Sequence, residues 1–108
     1  MNELAKYIDF GQGVANPGYI WNIKDVMKRA EAGEKLTIGF IGGSITQGAG
    51  ASSEKTNYVS LVGEYLKSTF SDKDVTIINA GIPGTDSKYG WYRLENDVIS
   101  YNPDIVFI

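Results

Sequence analysis

Apolar residues along the chain alternate between short continuous runs and stripes with helical spacing. The runs at residues 36–41, 75–80 and 104–108 are short and largely apolar, which is typical of strands buried on both faces of a sheet. Spacings of three and four residues predict three helices. Their stripes are formed by Ile20, Ile23, Met27 and Ala30, by Tyr58, Leu61, Val62, Tyr65, Leu66 and Phe70, and by Trp91, Leu94, Val98 and Tyr101. Gly33 follows the first stripe, where it suits the left-handed residue that ends many helices.

The order strand, helix, strand, helix, strand predicts a parallel sheet with right-handed crossovers. We expect the strand order 2-1-3 and an α/β fold, a flavodoxin-like three-layer α/β/α sandwich with a parallel sheet. Residues 1–18 carry turn signals without a sustained period and are predicted to form a surface arm. Function in such sheets lies beyond the carboxyl ends of the strands, so residues 42–53 and 81–89 are the candidate segments.

The composition and charge of the chain argue against several classes of function. The chain has 108 residues, 43% of them hydrophobic, and a net charge of −3. This predicts a globular domain and argues against a membrane or a nucleic acid as partner. Cys and His are both absent, so we expect no disulfide and no metal site. The first residues lack the cationic and apolar regions of a signal peptide. The chain is therefore predicted to be cytoplasmic as written, although a mature protein after signal removal would look the same.

The first candidate segment reads Ile41-Gly42-Gly43-Ser44-Ile45-Thr46-Gln47-Gly48-Ala49-Gly50. A serine two residues beyond a buried strand can present its hydroxyl into the crevice, and the glycines leave backbone N–H groups free to face an anion. A plain glycine-rich turn and a phosphate cradle are the alternatives. The P-loop pattern fails because Gly48 is followed by Ala49 and not by Lys. The dinucleotide pattern fails because it reaches Ser53 where it needs a glycine.

The second candidate segment reads Asn79-Ala80-Gly81-Ile82-Pro83-Gly84-Thr85-Asp86-Ser87. It occupies the matching position at the carboxyl end of the neighbouring strand, where Gly84 can turn its N–H toward the same crevice. The alternative is a tight turn in which Asp86 or Ser87 caps the next helix.

Together the two segments resemble a known family. Gly42-Gly43-Ser44-Ile45-Thr46-x-Gly48 is similar to the first block of the SGNH hydrolases, the GDSL-type esterases and lipases, and Asn79-x-Gly81-x-x-Gly84 is similar to the second. The resemblance implies that Ser44 is the nucleophile and that the backbone N–H groups of Ser44 and Gly84 bind the oxyanion. Gly43 stands where the name-giving motif has Asp, as it does in some members of the family.

The family's later blocks, Gly-x-Asn-Asp after the third strand and Asp-x-x-His near the end of the domain, do not occur in the sequence. The resemblance therefore covers the N-terminal part of such a domain, at residues 19–108. It implies a serine ester hydrolase that acts without a cofactor, through an acyl-enzyme, on small acyl esters. Acetylated carbohydrates, thioesters and lysophospholipids are the candidate substrates. These 108 residues alone are expected to be inactive. We expect them to need the rest of their own polypeptide or an intertwined oligomer. The alternatives are a purely structural fragment and a non-catalytic module that binds phosphate or a small anion.

Other conspicuous residues have simpler explanations. Trp21, Trp91 and the seven tyrosines could form a sugar-stacking surface, but their helical spacing favours packing in the core. Lys55 and Lys88 flank the two candidate loops and are expected to be solvated, although a Ser–Lys pair is conceivable. The charged segments at residues 31–35 and 72–74 are expected to be solvated helix ends.

Overall fold

A computed structural model describes residues 3–70 and 74–108 of the chain. The helices are α1 (Trp21–Glu31), α2 (Ser44–Gln47), α3 (Tyr58–Thr69) and α4 (Ser87–Asp97), and the strands are β1 (Leu36–Gly42), β2 (Val75–Gly81) and β3 (Ile105–Phe107). Short 3₁₀ helices span Glu3–Tyr7, Phe10–Gly13 and Ile99–Tyr101. The predicted strands and longer helices are all present, with their ends shifted by a few residues.

The strands form one parallel sheet in the order β2-β1-β3, as the sequence predicts. β1 is the central strand, and its residues from Leu36 to Ile41 are buried, which explains why its apolar run is nearly continuous. The register sets Gly42 of β1 beside Gly81 of β2. The two candidate segments therefore leave the sheet side by side at its carboxyl edge.

Helices cover both faces of the sheet, so the predicted three-layer α/β/α architecture is confirmed. On one face, α1 and α3 pack on β1 around a core made of Val26, Ala30, Leu36, Ile38, Phe40 and Val59. On the other face, Val98 after the end of α4 packs with Ile41 and Ala80, supported by Leu94 and Val106. Crossover helices on opposite faces follow from right-handed connections running to either side of a central strand.

Two predicted helix ends have the expected chemistry. Gly33 adopts a φ of 90° just after α1, and its N–H donates to the carbonyl of Ala30 at 3.0 Å. This is the left-handed position that glycine occupies at little cost. At the start of α4, the Asp86 carboxylate accepts a hydrogen bond from the N–H of Tyr89 at 2.9 Å. Asp86 therefore caps the helix, as one interpretation of this segment predicted.

The predicted helix faces are partly wrong. Ile20 precedes α1, and Ile20 and Ile23 are 43% and 52% exposed, because α1 contacts the sheet through Val26 and Ala30 instead. On α4, Leu94 packs inward, but Trp91 is 74% exposed. The third stripe extends beyond the α-helix, which ends at Asp97 and continues into the 3₁₀ helix at Ile99–Tyr101. Along α3, Val59 and Gly63 are buried, whereas three members of the predicted stripe are exposed, namely Tyr58, Leu61 and Tyr65.

The expectation that the Trp and Tyr side chains pack in the core is also wrong. Both tryptophans and all seven tyrosines are more than a third exposed, at Tyr7, Tyr19, Trp21, Tyr58, Tyr65, Tyr89, Trp91, Tyr92 and Tyr101. The inward positions are held by smaller aliphatic residues and by Phe40, which stacks on Phe107 with ring centroids 4.8 Å apart. Rings spaced three or four residues apart can share a helix face without that face meeting the sheet.

The remaining surface follows the sequence more closely. Residues 6–25 are exposed throughout, and the division of the chain at residue 18 stays a prediction. The segment at 31–35 is exposed as expected, whereas residues 72 and 73 of the other charged segment lie outside the described residues. Among the helices of the described ranges, none combines the length and apolar character needed to cross a bilayer.

Candidate active site

Ser44 lies at the first position of α2, directly beyond the carboxyl end of β1. Its side chain is partly buried, and Gly43 precedes it with φ −90° and ψ −146°. The Ser44 carbonyl accepts hydrogen bonds from the N–H groups of Gly48 and Ala49, at 3.0 and 2.9 Å. As in the first turn of any helix, the Ser44 N–H has no acceptor inside α2.

Two glycines let α2 approach the sheet edge closely. A Cβ atom at Gly42 would lie 2.2 Å from the Thr46 hydroxyl oxygen, and one at Gly81 would lie 2.2 Å from the backbone nitrogen of Gln47. Neither strand could carry a side chain at these positions with α2 where it is. The absence of Cβ at both strand ends therefore fixes how near the Ser44 turn sits to the sheet.

Side chains from two neighbouring elements hydrogen-bond to the turn that carries Ser44. The Asn79 amide donates to the carbonyl of Thr46 at 2.8 Å, and its oxygen accepts from the N–H of Gly81 at 2.9 Å. The hydroxyl of Thr46, which is 7% exposed, lies 2.8 Å from the hydroxyl of Tyr58 at the start of α3. The turn that carries Ser44 is thus tied to both β2 and α3.

Gly84 lies in the turn between β2 and α4, with a φ of 70°. Open space surrounds the position of its missing Cβ, and Thr85 closes the turn by donating its hydroxyl to the carbonyl of Ile82 at 2.7 Å. The positive φ is the physical reason for glycine here. The turn predicted from the sequence is present, and it follows the strand that neighbours the one leading to Ser44.

The two turns are joined through backbone atoms. The N–H of Ile82 donates to the carbonyl of Gly42 at 3.0 Å, which extends the pairing of β1 and β2 one step beyond the sheet. A Cβ at Gly43 would lie 3.8 Å from the carbonyl oxygen of Thr85, and both residues line the same cavity, so the residue before Ser44 lies near the residue after Gly84. The structure therefore brings the loops carrying both predicted site residues together at one edge.

Arg93 is a residue of this region that the sequence analysis did not identify. It projects from α4 and is 8% exposed. One terminal guanidinium nitrogen donates to the carbonyl of Ala80 at 2.7 Å and to the Asp97 carboxylate at 3.1 Å, and the other donates to the carbonyl of Gly42 at 3.2 Å. In the sequence Arg93 and Asp97 form a charged i,i+4 pair, but such pairs are typical of a solvated helix surface and do not indicate hydrogen bonds to distant carbonyl groups.

A cavity of about 300 Å³ adjoins this edge on the α4 side of the sheet. Its lining is mostly apolar and includes Ile41, Gly42, Gly43, Thr85, Asp86, Ser87, Gly90, Trp91, Arg93, Leu94 and Ile108. Gly43 brings the cavity next to the Ser44 turn. The exposed ring of Trp91 stands at its border, which makes the sugar-stacking alternative for this residue compatible with its position.

The two lysines beside the loops are exposed, at Lys55 and Lys88, in agreement with solvated side chains. Within residues 3–70 and 74–108, acidic side chains form no group suited to a metal ion. Away from the site, hydrogen bonding to Asp25, supported by the charge of Asp104, raises the pKa of Arg29. Arg29 lies near the amino end of β3 and thus at the opposite edge of the sheet from Ser44.

Two solved structures of an esterase are similar to this chain. Both are described as a two-domain esterase (CEX) active on acetylated mannans, and one was co-crystallised with mannopentaose. The first is 49% identical with a TM-score of 0.79 over 86% of this chain. The mannopentaose complex is 48% identical with a TM-score of 0.87 over 92% of this chain. This chain shares the fold of the corresponding part of those esterase structures. It spans about a quarter of those chains, 26% and 27% of their length. No protein-family model and no curated protein matches the chain.

Proposed function

We propose that this chain supplies the nucleophile and part of the oxyanion site of a serine ester hydrolase of the SGNH type that removes acetyl groups from carbohydrates. The observation that carries the proposal is the placement of Ser44 on a turn fastened to the sheet edge beside the Gly84 turn. The close similarity to an esterase active on acetylated mannans supports both the reaction and the substrate class.

In the proposed reaction, the Ser44 hydroxyl attacks the acetyl carbonyl carbon and loses its proton to a general base. The carbonyl oxygen becomes an oxyanion held by the N–H groups of Ser44 and Gly84. Collapse of this intermediate breaks the bond to the sugar oxygen, which takes the proton, and leaves acetyl-Ser44. Water then attacks the acetyl group, releasing acetate and restoring the serine.

The resemblance to the SGNH hydrolases implies a His as the general base, and the sequence contains no His. We propose that it and a third oxyanion donor belong to further segments of the natural polypeptide. The partners are then a small acyl ester and that remaining part of the protein, with an intertwined oligomer as the alternative arrangement.

The experiment is acetate release from acetylated mannan by the full natural protein and its Ser44→Ala variant. Loss of the nucleophile is expected to lower kcat by about 10⁶-fold. Ser52→Ala is the matched control, since Ser52 is an exposed serine in the loop between α2 and α3, and its hydroxyl lies 3.0 Å from that of Thr56 in the same loop. It is expected to keep full activity.

Covalent labelling gives a second readout. A fluorophosphonate probe should modify Ser44 in the natural protein, and mapping of the labelled peptide locates the adduct. Label on another serine with loss of activity, or full turnover by Ser44→Ala, overturns the proposal. Binding of phosphate without any ester turnover would favour the anion-binding module instead.

A further inference from the structure

We infer that Arg93 is a positioning residue. It holds the Ser44 and Gly84 turns in register by donating hydrogen bonds to carbonyl groups at the ends of β1 and β2. This inference rests on the proposed function of Ser44. Gly42, which accepts from Arg93 at 3.2 Å, lies two residues before the nucleophile. Ala80, which accepts at 2.7 Å, lies at the end of β2, before the turn that contains Gly84.

The geometry of the guanidinium suits this task. Its two terminal nitrogens lie in one rigid plane, and here each reaches the carbonyl of a different strand. The Gly42 carbonyl also accepts from the N–H of Ile82 at 3.0 Å, so Arg93 acts on the same atom that joins the two turns. A shift of either strand end would lengthen one of these hydrogen bonds.

The cost of burying Arg93 points to a role beyond packing. The side chain is 8% exposed, and its Nε atom has no hydrogen-bond partner within the ranges that the structure describes. Its acidic partner Asp97 is itself 37% exposed. An apolar side chain of similar volume would fill such a space without leaving a buried polar atom unpaired. Groups with this kind of penalty concentrate at functional sites.

The predicted consequence is a loss of rate with little loss of substrate affinity. Substrate binding before reaction does not depend on the alignment of the oxyanion donors, whereas the transition state does. A misplacement of about 1 Å can cost about 100-fold in rate. For Arg93→Met we therefore expect kcat to fall by about 10- to 100-fold with KM within about twofold.

The experiment compares Arg93→Met and Arg93→Lys in the full natural protein, with acetylated mannan as substrate and phenylboronic acid as a mimic of the tetrahedral intermediate. Lysine keeps the charge but lacks the planar fork, so its kcat is expected to lie between those of Arg93→Met and the wild type. Inhibition by phenylboronic acid should weaken by the same factor as kcat. A merely structural arginine would lower the melting temperature of the protein without changing either quantity.

Arg29→Met is the matched control. Arg29 also joins a helix to the sheet, pairing with Asp25 at 3.1 Å and Asp104 at 3.5 Å, but it lies at the opposite edge. The Arg29→Met variant is expected to be less stable than the wild type but to keep its kcat. Wild-type kcat in Arg93→Lys overturns the inference, even where Arg93→Met does not fold. Full activity in Ser44→Ala would instead overturn the proposed function, so the two failures are distinguishable.

Discussion

A single methyl group added at Gly81 tests how the turn carrying Ser44 is held against the sheet. The new Cβ would lie 2.2 Å from the nitrogen of Gln47, 2.7 Å from its Cα and 2.8 Å from the carbonyl carbon of Thr46. All three are backbone atoms, so no change of side-chain rotamer removes the overlap. α2 must move away from β2, or the end of β2 must bend.

The required movement sets the size of the effect. To restore a separation of 3.0 Å from 2.2 Å, the nitrogen of Gln47 must retreat by about 0.8 Å. Gly81→Ala is therefore expected to lower the free energy of unfolding by about 1–3 kcal/mol, the usual cost of overpacking. Because Ser44 begins the displaced helix, kcat for ester hydrolysis is expected to fall by up to about 100-fold.

The assay combines urea unfolding, followed by circular dichroism, with acetate release by the full natural protein. Gly43→Ala is the control, because its Cβ would lie 3.8 Å from the carbonyl oxygen of Thr85, an ordinary contact, with no atom as close as those that meet a Cβ at Gly81. We expect it to change stability by less than about 0.5 kcal/mol. A Gly81→Ala protein as stable and as active as the wild type would refute the close contact between α2 and β2.

Three further predictions concern other positions. Gly84→Pro removes the proposed oxyanion donor and forbids the observed φ of 70°, so kcat should fall by about 100-fold or more. Gly84→Asn keeps the N–H and tolerates this conformation, so it should retain most of kcat. Equal kcat in the two variants would contradict the role of the Gly84 N–H as an oxyanion donor. Gly39→Ala would bring a Cβ within 2.6 Å of a methyl group of Val98 and should lower the free energy of unfolding by about 1–3 kcal/mol. The loss should be smaller in a Val98→Ala background. If the losses of the two single variants simply add in the double variant, the contact between residues 39 and 98 is contradicted. Residues 1–108 by themselves should show no turnover that depends on Ser44, which p-nitrophenyl acetate hydrolysis would test. They should also self-associate through the open edge of β3, which size-exclusion chromatography would test. An active, monodisperse monomer would contradict both expectations.

The sheet was predictable because its signals are local and reinforce one another. The nearly continuous apolar run of β1 is typical of a strand covered on both faces, and the alternation of strands and helices predicted a parallel sheet with right-handed crossovers. The order 2-1-3, expected from flavodoxin-like sheets, is the order observed. The ends of the same strands carry Ser44 and Gly84, so the location of the candidate site followed from topology and two short motifs.

The faces of the helices were less predictable, because spacing alone does not say which stripe meets the sheet. At the start of α1 the spacing of Ile20 and Ile23 is as helical as that of Val26 and Ala30, yet only the latter pair is buried. The Trp and Tyr side chains were expected in the core because each can bury a large apolar area. They lie on the surface because the inward faces of the helices are filled by smaller side chains that lie closer to the sheet.

Arg93 was missed for a different reason. Its partners are two backbone carbonyls, at Gly42 and Ala80, and no sequence pattern marks a carbonyl that needs a donor. The same holds for Asn79, which appears in a motif but whose hydrogen bonds to Thr46 and Gly81 depend on the register of two strands and a turn. Contacts between side chains and distant backbone require the fold before they can be inferred.

These contacts place opposite demands on the residues at the edge of the sheet. At Gly42 and Gly81 the absence of a side chain lets α2 come close, but glycine also leaves the backbone with the most conformational freedom to lose. Arg93 and Asn79 reduce that freedom, since each hydrogen-bonds the backbone at or beside one of these glycines. Close approach and rigidity therefore come from different residues. A substitution at the glycines should disturb the position of Ser44, whereas one at Arg93 should loosen it.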